Sequence, residues 1–72
     1  MTNSNELRRV IQESGMKLKF LAEELGLSRY GFQKKLDGKS EFKASEIERL
    51  CQLLRLEDLQ IRQNIFFAKK VD

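Results

Sequence analysis

The chain has 72 residues, one cysteine, no histidine and no proline, with 14 Lys and Arg against 11 Asp and Glu for a net charge of +3. One cysteine without histidine excludes an internal disulfide, the usual zinc sites and Cys-His or Ser-His catalysis. A core of this size supplies roughly 3–5 kcal/mol of net stability and leaves little room for a deep pocket, so a single small domain with no cofactor, no metal and no enzymatic activity is expected.

No secretory apolar core and no long apolar run is present, so no membrane segment is expected and a reducing cytoplasm is the default compartment. The mildly basic balance permits nucleic-acid binding without requiring it.

Residues 3–14, NSNELRRVIQES, read as a first helix. Asn3 followed three residues later by Glu6 has the spacing of a capping box. Leu7, Val10 and Ile11 repeat at the spacing of one buried face. Gly15 stands where a left-handed residue ends a helix, and Met16 follows as an apolar anchor. Residues 17–25, KLKFLAEEL, form a second helix with Leu18, Leu21, Ala22 and Leu25 on one face. Gly26 ends it in the same way, and Leu27 points inward.

Ser28 is a good N-cap for a third helix, RYGFQKKL, because its hydroxyl can accept from an orphan backbone N–H. Phe32 and Leu36, four apart, supply its apolar face. Gly31 inside that helix costs about 1 kcal/mol relative to alanine. Such a cost points to crowding against a neighbouring element or to close approach of a ligand. Residues 37–42 form a loop turned by Gly38, with Phe42 tucked back into the core.

Residues 44–54, ASEIERLCQLL, give the clearest helix: Ile47, Leu50, Cys51 and Leu54 follow the helical repeat, and Leu53 widens the stripe. Cys51 on that stripe is expected to be buried and inert. A last segment, EDLQIRQNIFF, uses Leu59, the stem of Arg62, Ile65 and Phe66. The tail AKKVD is expected to fray. The one candidate strand, NIFFAKKVD, sets Ile65, Phe67 and Val71 on one side of an extended chain, and is not convincing.

Five short helices make a compact all-α bundle. The second and third are joined by only Gly26-Leu27-Ser28, and a three-residue turn containing glycine is the helix-turn-helix signature. The stretch LAEELGLSRYGFQKKLDGKSEF resembles the Cro/repressor class of helix-turn-helix regulators, the XRE family. The matching features are Leu21-Ala22, Gly26-Leu27-Ser28, Phe32 and the Gly38-Lys39 loop, and SEIERLCQLLRL resembles the helix that follows. The resemblance covers about residues 6–60, and the variant looks like short phage and prophage regulators of Gram-positive bacteria. Four positions depart from the pattern. Leu18 replaces a frequent glutamine, Lys17 a Ser or Thr cap, and Arg55 a frequent glycine. Lys35 stands where the residue is often apolar, and Leu36 is expected to take over its packing.

The resemblance implies a lambda-repressor-like fold whose third helix lies in the major groove. Arg29, Tyr30, Gln33 and Lys34, pointing away from Phe32 and Leu36, are then the base readers. Arginine matches the two acceptors of guanine and glutamine the acceptor-donor pair of adenine. Lys17, Lys19, Ser28, Lys39, Ser40 and Lys43 would hold phosphates. Between Ser28 and Lys43 five basic residues face two acidic ones. A homodimer on a duplex operator is implied, with Leu59, Ile61, Ile65, Phe66 and Phe67 as candidate interface residues. The expected function is a sequence-specific transcriptional regulator acting by operator occupancy. The alternative, from another class, is a protein-interaction module, antitoxin-like or an accessory phage protein.

Overall fold

Five helices and no strand make up the described part of the chain, residues 2–67 of a computed structural model. They are α1 (Ser4–Ser14), α2 (Leu18–Glu24), α3 (Arg29–Leu36), α4 (Ala44–Leu53) and α5 (Leu59–Phe66). The tail 68–72, including Val71, lies outside the described residues.

Each helix starts and stops for a local reason. The Asn3 side chain accepts from the Glu6 N–H at 3.1 Å. The reciprocal half of the expected capping box is not made. Glu6 turns its carboxylate to Arg9 instead, and the Asn3 N–H donates to the Ile65 carbonyl at 2.6 Å. That bond ties the start of α1 to α5. Gly15 and Gly26 end the first two helices at φ 74° and 70°, a region that costs an L side chain steric strain. Asp58 caps α5 by accepting from the N–H groups of Gln60 and Ile61.

The core takes side chains from every element. Leu7, Ile11, Leu21, Ala22, Phe32, Leu36, Leu50, Cys51, Leu54, Ile65 and Phe66 are all buried. Phe42 enters from the loop and meets Phe32 and Phe66 edge to face, with ring centroids 6.2 and 5.8 Å away. This aromatic chain links α3, the loop and α5. Burial, opposed by the Arg62 guanidinium, pushes the Cys51 thiol above its ordinary pKa, which keeps it protonated.

Ile47 packs against the edge of the core and is half-buried. Two packing expectations need correction. Leu59 is 75% exposed and contributes nothing to the core. Lys35 does not cede its place to Leu36: both are buried, and Lys35 is only 9% exposed. Its ammonium meets Glu46, itself 7% exposed, at 2.5 Å.

Arg55, at the position of the missing glycine, is left-handed at φ 56°. It is held there because the Leu56 N–H closes back on the Cys51 carbonyl at 2.8 Å. Arg55→Gly is therefore expected to raise stability by about 0.5–1 kcal/mol, since relief of left-handed strain exceeds the added chain entropy of glycine. A thermal melt followed by circular dichroism measures this. A lower midpoint in the variant would show that the arginine side chain makes up for its backbone.

Candidate nucleic-acid interface

The turn between α2 and α3 presents α3 outward. The Leu27 N–H bonds the Ala22 carbonyl at 2.9 Å, closing α2 across the left-handed Gly26. Ser28 then opens α3, its hydroxyl oxygen accepting from the Gly31 N–H at 3.0 Å. Phe32 and Leu36 bury one side of α3 completely, which fixes the other side towards solvent.

On that solvent side Arg29, Tyr30, Gln33 and Lys34 are all exposed. Arg29 and Gln33 are four residues apart and therefore neighbours along the helix, as are Tyr30 and Lys34. The Tyr30 ring, 72% exposed, carries the Lys34 ammonium 5.7 Å from its centroid. Gly31 sits among them. A Cβ there would meet the Ser28 hydroxyl oxygen at 3.2 Å and no neighbouring element within 4 Å. Crowding against a neighbouring element is therefore not what keeps a glycine here; the one close atom belongs to the helix's own cap.

The flanking residues sit on three segments. Lys17 is the N-cap of α2 and makes no side-chain cap bond, as a side chain with no acceptor requires. Lys17, Lys19, Ser28, Lys39 and Lys43 are exposed and Ser40 is half-buried. Gly38, at φ 76°, turns the chain out of α3, and the Lys39 N–H returns to the Lys34 carbonyl at 3.0 Å.

Four cations are held in ion pairs, and of those that are not, only Arg55 and Arg62 among the described residues lie away from α2, α3 and the loop after it. Arg8 pairs with Asp37, Arg9 with Glu6 and Glu13, Arg49 with Glu24 and Lys35 with Glu46. Lys17, Lys19, Arg29, Lys34, Lys39 and Lys43 have no carboxylate partner among the described residues. Between Ser28 and Lys43 the sequence has five cations against two anions. The structure withdraws Lys35 inward and neutralises Asp37 with Arg8. What remains outward is Arg29, Lys34, Lys39 and Lys43 against Glu41.

The interface candidates of α5 separate into two groups. Ile65 and Phe66 are 0% and 2% exposed, so they belong to the core and cannot meet a partner. Leu59, Ile61 and Phe67 are exposed. The two adjacent phenylalanines differ in depth: Phe66 is buried and completes the aromatic chain with Phe42, whereas Phe67, the C-cap residue, is 55% exposed.

The buried Lys35–Glu46 pair is the main feature that the sequence did not disclose. Lys35, three residues after Phe32, borders the apolar stripe of α3, and a cation there needs a partner. No spacing rule selects Glu46, eleven residues on, over Glu41.

Among the described residues no helix is long and apolar enough to cross a membrane, and no group of three or more Cys, Asp or Glu is placed to hold a metal ion. No curated protein and no solved structure gives a significant match to the chain. A family model, that of the Cro/C1-type HTH DNA-binding domain, matches residues 6–61. That span runs from α1 into α5 and includes the α2–turn–α3 unit with its outward helix. The chain belongs to the family of Cro/C1-type helix-turn-helix DNA-binding domains.

Proposed function

We propose that the chain is a sequence-specific transcriptional regulator of phage or prophage Cro or repressor type, working by occupying an operator. The observation that carries this reading is the segregation of charge. Arg8, Arg9, Lys35 and Arg49 are spent in ion pairs, whereas Lys17, Lys19, Arg29, Lys34, Lys39 and Lys43, on α2, α3 and the loop that follows, stay exposed without a carboxylate partner among the described residues. Elsewhere in that part of the chain only Arg55 and Arg62 also lack one, and Arg62 is bonded to the Leu56 carbonyl. Unpaired surface cations release counterions when they meet phosphates, which is the main source of affinity for duplex DNA.

In this reading Arg29, Tyr30, Gln33 and Lys34 face base edges from the first turns of α3. Lys17, Lys19, Ser28, Lys39, Ser40 and Lys43 grip phosphates. Ser28 accepts its cap bond through oxygen, so its O–H remains a donor for a phosphate. Such a regulator works in the bacterial cytoplasm, at the nucleoid when bound, and no catalytic step is assigned to it. If about six phosphates are neutralised, log affinity falls against log salt with a slope of roughly −5. Titration of a fluorescent duplex from low to high salt measures it, and a slope near zero contradicts the reading.

One copy covers a half-site, and two half-sites on one face of DNA require a dimer. Leu59, Ile61 and Phe67 form the candidate interface. The only charged residue of α5, Arg62, is tied to the Leu56 carbonyl. Its exposed neighbours Gln60, Gln63 and Asn64 are uncharged, so the helix itself brings little charge to a second copy. Sedimentation should show a dimer that Leu59→Lys with Phe67→Lys converts to a monomer. Wild type that stays monomeric at every concentration, with and without duplex, removes the interface.

The same exposed apolar residues favour a second reading. A different protein could cover them, making the chain an interaction module, antitoxin-like or accessory to a phage. That reading predicts no preference for any duplex over random DNA.

A further inference from the structure

We infer that the buried Lys35–Glu46 pair is a positioning latch that sets the phosphate-gripping loop against the reading helix. The inference rests on the DNA-reading function proposed above. One carboxylate oxygen of Glu46 accepts two bonds. The Lys35 ammonium donates at 2.5 Å from the last turn of α3, and the Lys43 N–H donates at 2.8 Å from the end of the loop. The other end of the loop is held by the Lys39 N–H on the Lys34 carbonyl. Between these ends Phe42 is plugged into the core against Phe32. Residues 38–43 are thus fixed at both ends and in the middle, and two of the three ties run to α3.

This arrangement has a cost that stability alone does not repay. A buried ion pair is on average no better for stability than apolar residues of the same shape. What it supplies is geometry: a short, directional link between two segments that each carry unpaired cations. Arg29 and Gln33 on α3 must reach base edges while Lys39 and Lys43 reach phosphates. A shift of the loop relative to α3 would make these two sets of contacts compete. Lys35 and Glu46 touch neither base nor phosphate in this account, and act through the residues they hold.

The test is Lys35→Met combined with Glu46→Gln. The glutamine carbonyl still accepts the Lys43 N–H, the methionine keeps the packing, and the net charge stays at +3 because one cation and one anion are removed together. Long-range attraction to DNA is therefore unchanged. On the duplex that wild type prefers, the double variant is expected to bind about tenfold more weakly, with its salt slope shallower by roughly 1–2 because loop contacts are lost. Lys35→Arg, which keeps a cation for Glu46, should restore both quantities. A folded double variant with wild-type affinity and slope overturns the latch.

A second measurement needs no variant. In free wild type, NMR order parameters for residues 39–43 should match those of α3 and α4, about 0.85. A loop that is mobile before DNA arrives overturns the inference even if the double variant does not fold. Wild type that prefers no duplex would defeat the regulator reading instead, leaving the order parameters to report on the loop alone.

Discussion

Lys35→Met alone should leave most of the protein unfolded at 25 °C. Removing one member of a buried ion pair strands the other as an uncompensated charge, at a cost of about 3–5 kcal/mol. The whole chain has roughly that much net stability. Glu46 would keep only the Lys43 N–H as a partner. The double change with Glu46→Gln should recover most of the loss, because no buried charge remains. Urea unfolding followed by circular dichroism separates the three proteins. A single variant as stable as wild type would mean that Glu46 finds water or another cation.

The pH dependence sharpens this result. Burial works against the Glu46 carboxylate, but the Lys35 ammonium and the Lys43 N–H outweigh it, so its pKa lies below the ordinary carboxylate value. A carboxylate with a depressed folded-state pKa contributes stability that is present above the unfolded-state value and is lost as pH falls through the folded-state value. Wild type should therefore weaken as pH drops through and below the ordinary carboxylate range. In Lys35→Met the cation is gone and burial dominates, which favours the protonated acid. The single variant should gain relative stability as pH falls from 7 towards 4. Parallel pH profiles for the two proteins would contradict the assignment of the charge to this pair.

The second large effect concerns recognition. Arg29→Ala and Gln33→Ala are each expected to cost about 1–3 kcal/mol on the preferred duplex and far less on random DNA. Both side chains are exposed and neither caps nor packs anything, so stability should change little. Lys39→Ala should behave differently: it weakens binding to every duplex alike and makes the salt slope shallower by about 1. Fluorescence titrations on both duplexes distinguish the two patterns. Equal losses on preferred and random DNA for Arg29→Ala would reduce that arginine to a phosphate contact.

Much of the fold was legible because its punctuation is local. Gly15 and Gly26 take the left-handed conformation that their positions after helical runs require, and Gly38 turns the loop as its place indicates. Ser28 caps α3 as its spacing indicated, and α3 spans the expected residues 29–36. Arg55 was visible as a departure from the family pattern, and the structure shows its consequence in a strained backbone. What stayed hidden depends on tertiary neighbours. Periodicity placed Leu59 on a buried stripe, but α5 begins at that residue, and its burial is supplied by Ile65 and Phe66 near the other end. Sequence alone does not separate those two from Phe67, because an apolar pattern carries no depth. The outward set on α3 was legible for a simple reason: once Phe32 and Leu36 are inside, helical geometry sends Arg29, Tyr30, Gln33 and Lys34 out. Lys35 escapes the same logic because a charged residue on the border of a stripe can snorkel or pair, and which it does depends on Glu46, a tertiary neighbour.

Selection with wild type from a pool of random duplexes, followed by sequencing of what is retained, decides whether the chain reads a sequence. One motif should be enriched, repeated as two half-sites about one helical turn apart. A retained pool as random as the starting one would contradict sequence-specific reading.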